Sequence, residues 1–115
     1  MPKKIMIDIF VKKEEGYFQA HCLQFDLVAT DDSLINAKEA MLSLCREHII
    51  FALKNNNMDY LFSPAPKEIW DEYLKCAQNP DNDSEEGTID LARDNDNDYQ
   101  AFIPAFMTNQ TLCHV

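Results

Sequence analysis

Apolar and polar residues alternate through residues 4–12, KIMIDIFVK: Ile5, Ile7, Ile9 and Val11 fall on one side and Met6, Asp8, Phe10 and Lys12 on the other. A period of two predicts a half-buried strand. Residues 13–16 form a polar turn closed by Gly16, which can take a positive φ, and YFQAHCL returns as the second strand of a hairpin. FDLVAT (residues 25–30) predicts a third strand, reached through a tight connection at Leu23 and Gln24. The period then changes to that of a helix in SLINAKEAMLSLCREHIIFALK, residues 33–54. Asp32 and Ser33 offer side-chain oxygens to the first unpaired N–H groups, and no Gly or Pro interrupts the interior. Leu34, Ala37, Met41, Leu44, Cys45, His48 and Ala52 share the face expected to lie on the sheet. A second stripe, Ile35, Leu42, Ile49 and Leu53, lies roughly 120° away, with Ile50 opposite the core face. Three strands cannot cover both stripes. Ile35, Leu42, Ile49, Ile50 and Leu53 are therefore the candidate interface, and a homodimer or higher closed oligomer is expected.

Asn55, Asn56 and Asn57 end the helix, because asparagine readily adopts the left-handed conformation of a C-terminal cap. MDYLFS suits a short extended piece. Pro64 and Pro66 then precede a second helix, KEIWDEYLKCA, with Ile69, Trp70, Tyr73, Leu74 and Ala77 on one face, whose natural partner is the uncovered stripe of the long helix. Residues 79–98 are polar and acidic and predict a loop or disordered linker whose partial deletion should change stability little. QAFIPAFM (residues 100–107) is apolar again and, with Pro104, suits an edge strand or an irregular docking segment. The fold class expected is α+β: an antiparallel sheet of three or more strands, one long helix packed on it and a second helix, in the order β-β-β-α-(α)-β. The organisation follows as an αβ body with the second helix (1–78), an acidic loop or linker (79–98) and an apolar segment docking on the body (99–115).

At 115 residues and 46% apolar content the chain is long enough for one self-sufficient core. Its formal net charge of −10 is concentrated in residues 79–98, where eight acids face only Arg93 and leave −7, so the rest of the chain carries −3. Such a surface repels phosphate backbones, which argues against direct nucleic-acid binding. The four cysteines, at 22, 45, 76 and 113, form no CxxC pair, so reduced thiols are expected. The opening residues carry lysines before an apolar run, but Asp8 breaks it and no small-residue cleavage site follows. Neither a signal peptide nor a membrane span is expected, and the location expected is cytoplasmic.

The only glycines are Gly16 and Gly87, which excludes a P-loop, a dinucleotide fingerprint and a nucleophile elbow. Residues 81–85 and 94–98 resemble the first half of a calcium loop, but neither has the glycine at position 6 or the glutamate at position 12. Cys45 with His48, and His21 with Cys22, allow a zinc site to be drawn. Cys45 and His48 nevertheless sit among Met41, Leu44 and Ala52, where a core thiol and a hydrogen-bonded histidine are the simpler reading. Asp8, with Glu39 or Glu47, could serve a two-metal nuclease, yet helix geometry turns both glutamates away from the sheet. Trp70 and Tyr73 read as core at helical spacing. No catalytic residue, metal or cofactor is expected.

KKEEGYFQAHC, LVATDDSLINAKEAM and the alanines Ala37 and Ala40 together resemble the N-terminal domain of the HicB-like antitoxin family, over residues 3 to about 54. The resemblance implies a ribonuclease-H-like or double-stranded-RNA-binding-like αβ domain that binds and blocks a small toxin ribonuclease. A non-enzymatic protein-binding module with a HicA-like toxin as partner is thus expected. The alternatives are a divalent-metal-dependent ribonuclease-H-like enzyme and a purely structural homo-oligomer. Asp26 and Asp31 stand where the family usually has glycine, which aspartate tolerates because it can enter the left-handed region. The family's DNA-binding continuation is replaced here by a Pro-rich and then acidic stretch, so no DNA-binding role is carried over.

Overall fold

A computed structural model describes residues 4–57, 59, 61–78, 83–89 and 105–113. The elements are β1 (Lys4–Glu14), β2 (Tyr17–Cys22), β3 (Leu27–Asp31), α1 (Leu34–Lys54), α2 (Lys67–Ala77), β4 (Asp83–Thr88) and β5 (Ala105–Cys113). They form an α+β fold around one five-stranded sheet of order β3-β2-β1-β5-β4. The hairpin, third strand and long helix stand where the alternation places them. Gly16 (φ 85°) makes the first turn and Asp26 (φ 55°) the second, while Asp31 stays in the strand and accepts the Ser33 N–H. Ser33 caps α1 by accepting the Asn36 N–H, and Asn56 (φ 49°) takes the left-handed position just beyond its other end.

Two strands depart from expectation. The sheet is mixed, because β5 runs parallel to β1 along its whole length and lies in the interior between β1 and β4, not at an edge. Part of the acidic stretch, residues 83–88, is not loop but β4, antiparallel to β5. Asp83 and Glu85, two of the oxygens in the calcium-loop likeness, therefore stand in a paired strand instead of a loop; residues 81, 82, 94–98 and Pro104 lie outside the described residues. β4 fills the outer side of β5, so deleting residues 81–86 would expose a strand, contrary to the neutral effect expected of a linker.

The wider sheet explains where the second stripe of α1 goes. Two added strands extend the platform by roughly 10 Å, and the buried face of α1 is centred roughly 40° further round than its Leu34 to Ala52 positions suggest. Ile49 is fully buried and Ile50 is 8% exposed, both in the core with Ile7, Ile9, Val11, Met41, Cys45, Ile89 and Phe106. Leu42 and Leu53 pack against the same cluster, and Leu44 is turned outward. Lys38 on this flank reaches Glu85 of β4 at 3.7 Å. Of the five candidate interface residues only Ile35, 66% exposed, stands free of the core.

α2 does not pack on α1. It covers the opposite face of the sheet, where Tyr73 and Cys76 join Phe10, Leu23 and Ala65, with Ile69, Trp70 and Cys113 around them. The buried side of α2 is thus Ile69, Tyr73 and Cys76, while Leu74, expected inside, is 50% exposed. Cys76 is joined to Cys113 at the end of β5 by a disulfide with Cα atoms 5.7 Å apart, which differs from the expectation of four reduced thiols. Cys22 and Cys45 remain free and buried.

Two buried polar atoms on β5, Thr108 Oγ1 and Gln110 Oε1, have no hydrogen-bond partner among the described residues. Thr108 on β5 is fully buried on the α1 side, and its Oγ1 has no hydrogen-bond partner; it sits 3.0 Å from where a Cβ on Gly87 would be. A buried hydroxyl without a partner loses its hydration and gains nothing. Thr108→Val, which keeps the shape and removes the hydroxyl, should stabilise the protein by about 1 kcal/mol, read as a higher midpoint in urea unfolding.

Candidate functional site

Asp8 on β1 is engaged by side chains of two other parts of the chain, Gln24 and Tyr73. As an even-numbered residue of β1 it points to the α2 side, where its partner on β5 is Asn109. Gln24, in the turn after β2, clamps it twice: its Oε1 accepts the Asp8 backbone N–H at 2.7 Å and its Nε2 donates to Asp8 Oδ2 at 2.8 Å. Tyr73 of α2 donates its hydroxyl to Oδ1 at 3.1 Å. Burial, the Asp8 charge and its hydrogen bond hold the Tyr73 phenol above its usual pKa, although Thr111 and Asn109 pull the other way. The group is therefore a neutral donor, and its contribution is present below the ordinary tyrosine range and lost as pH rises through the elevated value. Lys12, four residues further along β1 and on the same face, pairs with Glu72 of α2 at 3.0 Å. These contacts tie β1, the second turn and α2 together.

Glu39 and Glu47 do not approach this group. They are exposed on α1, on the other side of the sheet, and among the described residues no three or more His, Cys, Asp or Glu side chains gather in a way that could hold a metal ion. The zinc arrangement drawn from the sequence is also divided. His21 faces the α2 side and donates Nε2–H to Asp26 Oδ1 at 2.7 Å, and His48 donates to the Leu61 carbonyl at 2.9 Å. Cys22 and Cys45 do meet, beneath α1, without either histidine. Cys45 is held well above the usual thiol range, first by its hydrogen bond to Cys22 and then by burial.

The features facing outward are apolar. Leu44 and Phe51 lie two turns apart on the flank of α1 opposite Lys38, and Lys38 marks the β4 side, so this flank overlooks β3. Phe51 is 65% exposed. Phe62, 45% exposed, lies tilted against the buried Phe25 at 5.8 Å, and Phe25 against His48 at 4.8 Å, which links the segment before α2 to α1. That segment is fastened to the second turn by Ser63 N–H to the Gln24 carbonyl and Ala65 N–H to the Leu23 carbonyl. β3 itself pairs only with β2 among the described residues, and Val28 on it is exposed. An open strand edge beside exposed aromatic side chains is a surface suited to another polypeptide.

No family model, curated protein or solved structure matches the chain. The surface just described was only partly legible beforehand. Phe51 stood in the sequence one step off the expected core face, and Phe62 in a segment with no period of its own. No helix among the described residues is long and apolar enough to cross a membrane.

Proposed function

We propose that this chain is a non-enzymatic protein-binding module of the kind the HicB-like antitoxins represent, and that its partner is a small HicA-like toxin ribonuclease. The observation that carries the reading is the apolar flank of α1 at Leu44 and Phe51, with Phe62 before α2, beside a β3 edge that is unpaired among the described residues. Exposed aromatic groups of this size are what protein interfaces bury at their centre. The net charge of −10 supports a basic protein partner and disfavours direct contact with nucleic acid. Asp8 supports the non-enzymatic part, because both carboxylate oxygens are already engaged by Gln24 and Tyr73.

In the cytoplasm the thiol pool would hold the Cys76 and Cys113 pair open. The proposal therefore expects these thiols reduced in cells and joined after purification in air. A homo-oligomer that uses the same flank, or Ile35, is the competing occupant of the surface. An RNA-cleavage assay separates the readings. The purified chain should stop cleavage by a HicA-like toxin from the same genome at equimolar ratio and should not cleave RNA itself in Mg²⁺ or Mn²⁺. Cleavage by the chain that disappears in Asp8→Asn would overturn the proposal.

A further inference from the structure

The two thiols buried beneath α1 have a third sulfur beside them. Cys22 ends β2 on the α1 side of the sheet, in register with Ile9 and Leu27, and Met41 and Cys45 lie one turn apart on the buried face of α1. All three side chains are fully buried. Cys45 Sγ is 3.6 Å from Met41 Sδ, and the Cys45 and Cys22 thiols are hydrogen-bonded to each other. Cys22 also accepts the backbone N–H groups of Phe25 and Gln24 from the tight turn that follows it.

We propose that Cys22, Cys45 and Met41 form a binding site for a soft monovalent cation, Cu(I). Three sulfurs around one ion, each bonded at about 2.3 Å, stand about 4 Å apart, so a shift of a few tenths of an ångström brings Met41 and Cys45 to that spacing. Two thiolates and a thioether without nitrogen or oxygen donors favour Cu(I) over harder ions. Zinc would need a fourth ligand, and both nearby histidines are committed to Asp26 and the Leu61 carbonyl. On binding, Cu(I) gains bonds to the Cys22 and Cys45 sulfurs, whose protons pass to solvent, and one to the Met41 thioether. No electron is transferred. The ion's charge offsets one thiolate, and the Gln24 and Phe25 N–H groups stabilise the other.

The test is an anaerobic titration of the full chain with Cu(I), held reduced by ascorbate, against the chromophoric chelator bicinchoninate. One equivalent should be withheld from the chelator by the wild type, and withheld equally by a Cys76→Ala/Cys113→Ala chain. Cys22→Ala should lose it, and Met41→Leu, which keeps the volume, should bind at least tenfold more weakly. Unchanged affinity in Met41→Leu, or loss of binding in the Cys76→Ala/Cys113→Ala chain, would overturn the proposal. Should Cys22→Ala fail to fold by circular dichroism, X-ray absorption at the copper edge of the loaded wild type decides. Three sulfur neighbours at about 2.3 Å support the site, and nitrogen or oxygen neighbours contradict it.

Discussion

Ile49→Glu should yield an unfolded chain at 25 °C at every protein concentration. Ile49 has no exposed surface and packs with Ile7, Ile9, Met41 and Phe106 between α1 and the sheet. Truncating such a side chain to alanine costs about 2–5 kcal/mol. A carboxylate in its place adds the cost of a buried, unpaired charge. The sum reaches the whole stability of a domain of this size, about 5–15 kcal/mol. Ile50→Glu should act in the same direction. Ile35→Glu, at an exposed position of the same candidate interface, should shift the melting temperature by less than about 2 °C, since surface changes stay within about 0.5 kcal/mol. Circular dichroism melts of the three variants check this. A folded monomer from Ile49→Glu would mean that the residue serves an interface instead of the core.

Opening the Cys76–Cys113 disulfide should cost about 4 kcal/mol. The bond closes a loop with a sequence separation of 37, and the chain-entropy relation gives about 4 kcal/mol for a loop of that length. It also fastens α2 to β5, beside ties that include the Tyr73 to Asp8 hydrogen bond, the Lys12 to Glu72 ion pair and packing on Phe10. The loss should therefore concentrate on α2. Trp70, the only tryptophan, lies on that helix and reports it. Denaturant titrations of the wild type with reductant and of Cys113→Ala should give the same midpoint, lower than that of the wild type without reductant. A midpoint indifferent to reductant would mean that the loop is held by other contacts.

The first half of the fold was legible because its periods are clean. Alternation at Ile5, Ile7, Ile9 and Val11, a glycine turn and a capped helix each specify local structure. The second half was not, for reasons that lie in particular residues. Asp8 and Lys12 look like the solvent side of a half-buried strand, yet each is a partner for α2, through Tyr73 and Glu72, and Phe10 between them needs a cover. Residues 83–88, DSEEGT, carry no strand signal; they are a strand because β5 offers an open edge and Gly87 leaves room for Thr108. With β4 and β5 missing from the expected sheet, the second stripe of α1 had to be assigned to another molecule. The pairing of distant cysteines is likewise not a property that spacing specifies.

The claim that the flank of α1 binds a protein partner rests on Phe51 more than on any other residue. The most direct measurement is titration calorimetry of the HicA-like toxin into the wild type and into Phe51→Glu, after circular dichroism has shown that both melt alike. A side chain that is 65% exposed can be exchanged without disturbing the core, whereas a charge at the centre of an interface costs at least about 2 kcal/mol of binding. The account predicts a saturable complex with the wild type and at least about a 30-fold weaker one with Phe51→Glu. Equal binding by the two, or none by the wild type, would contradict it.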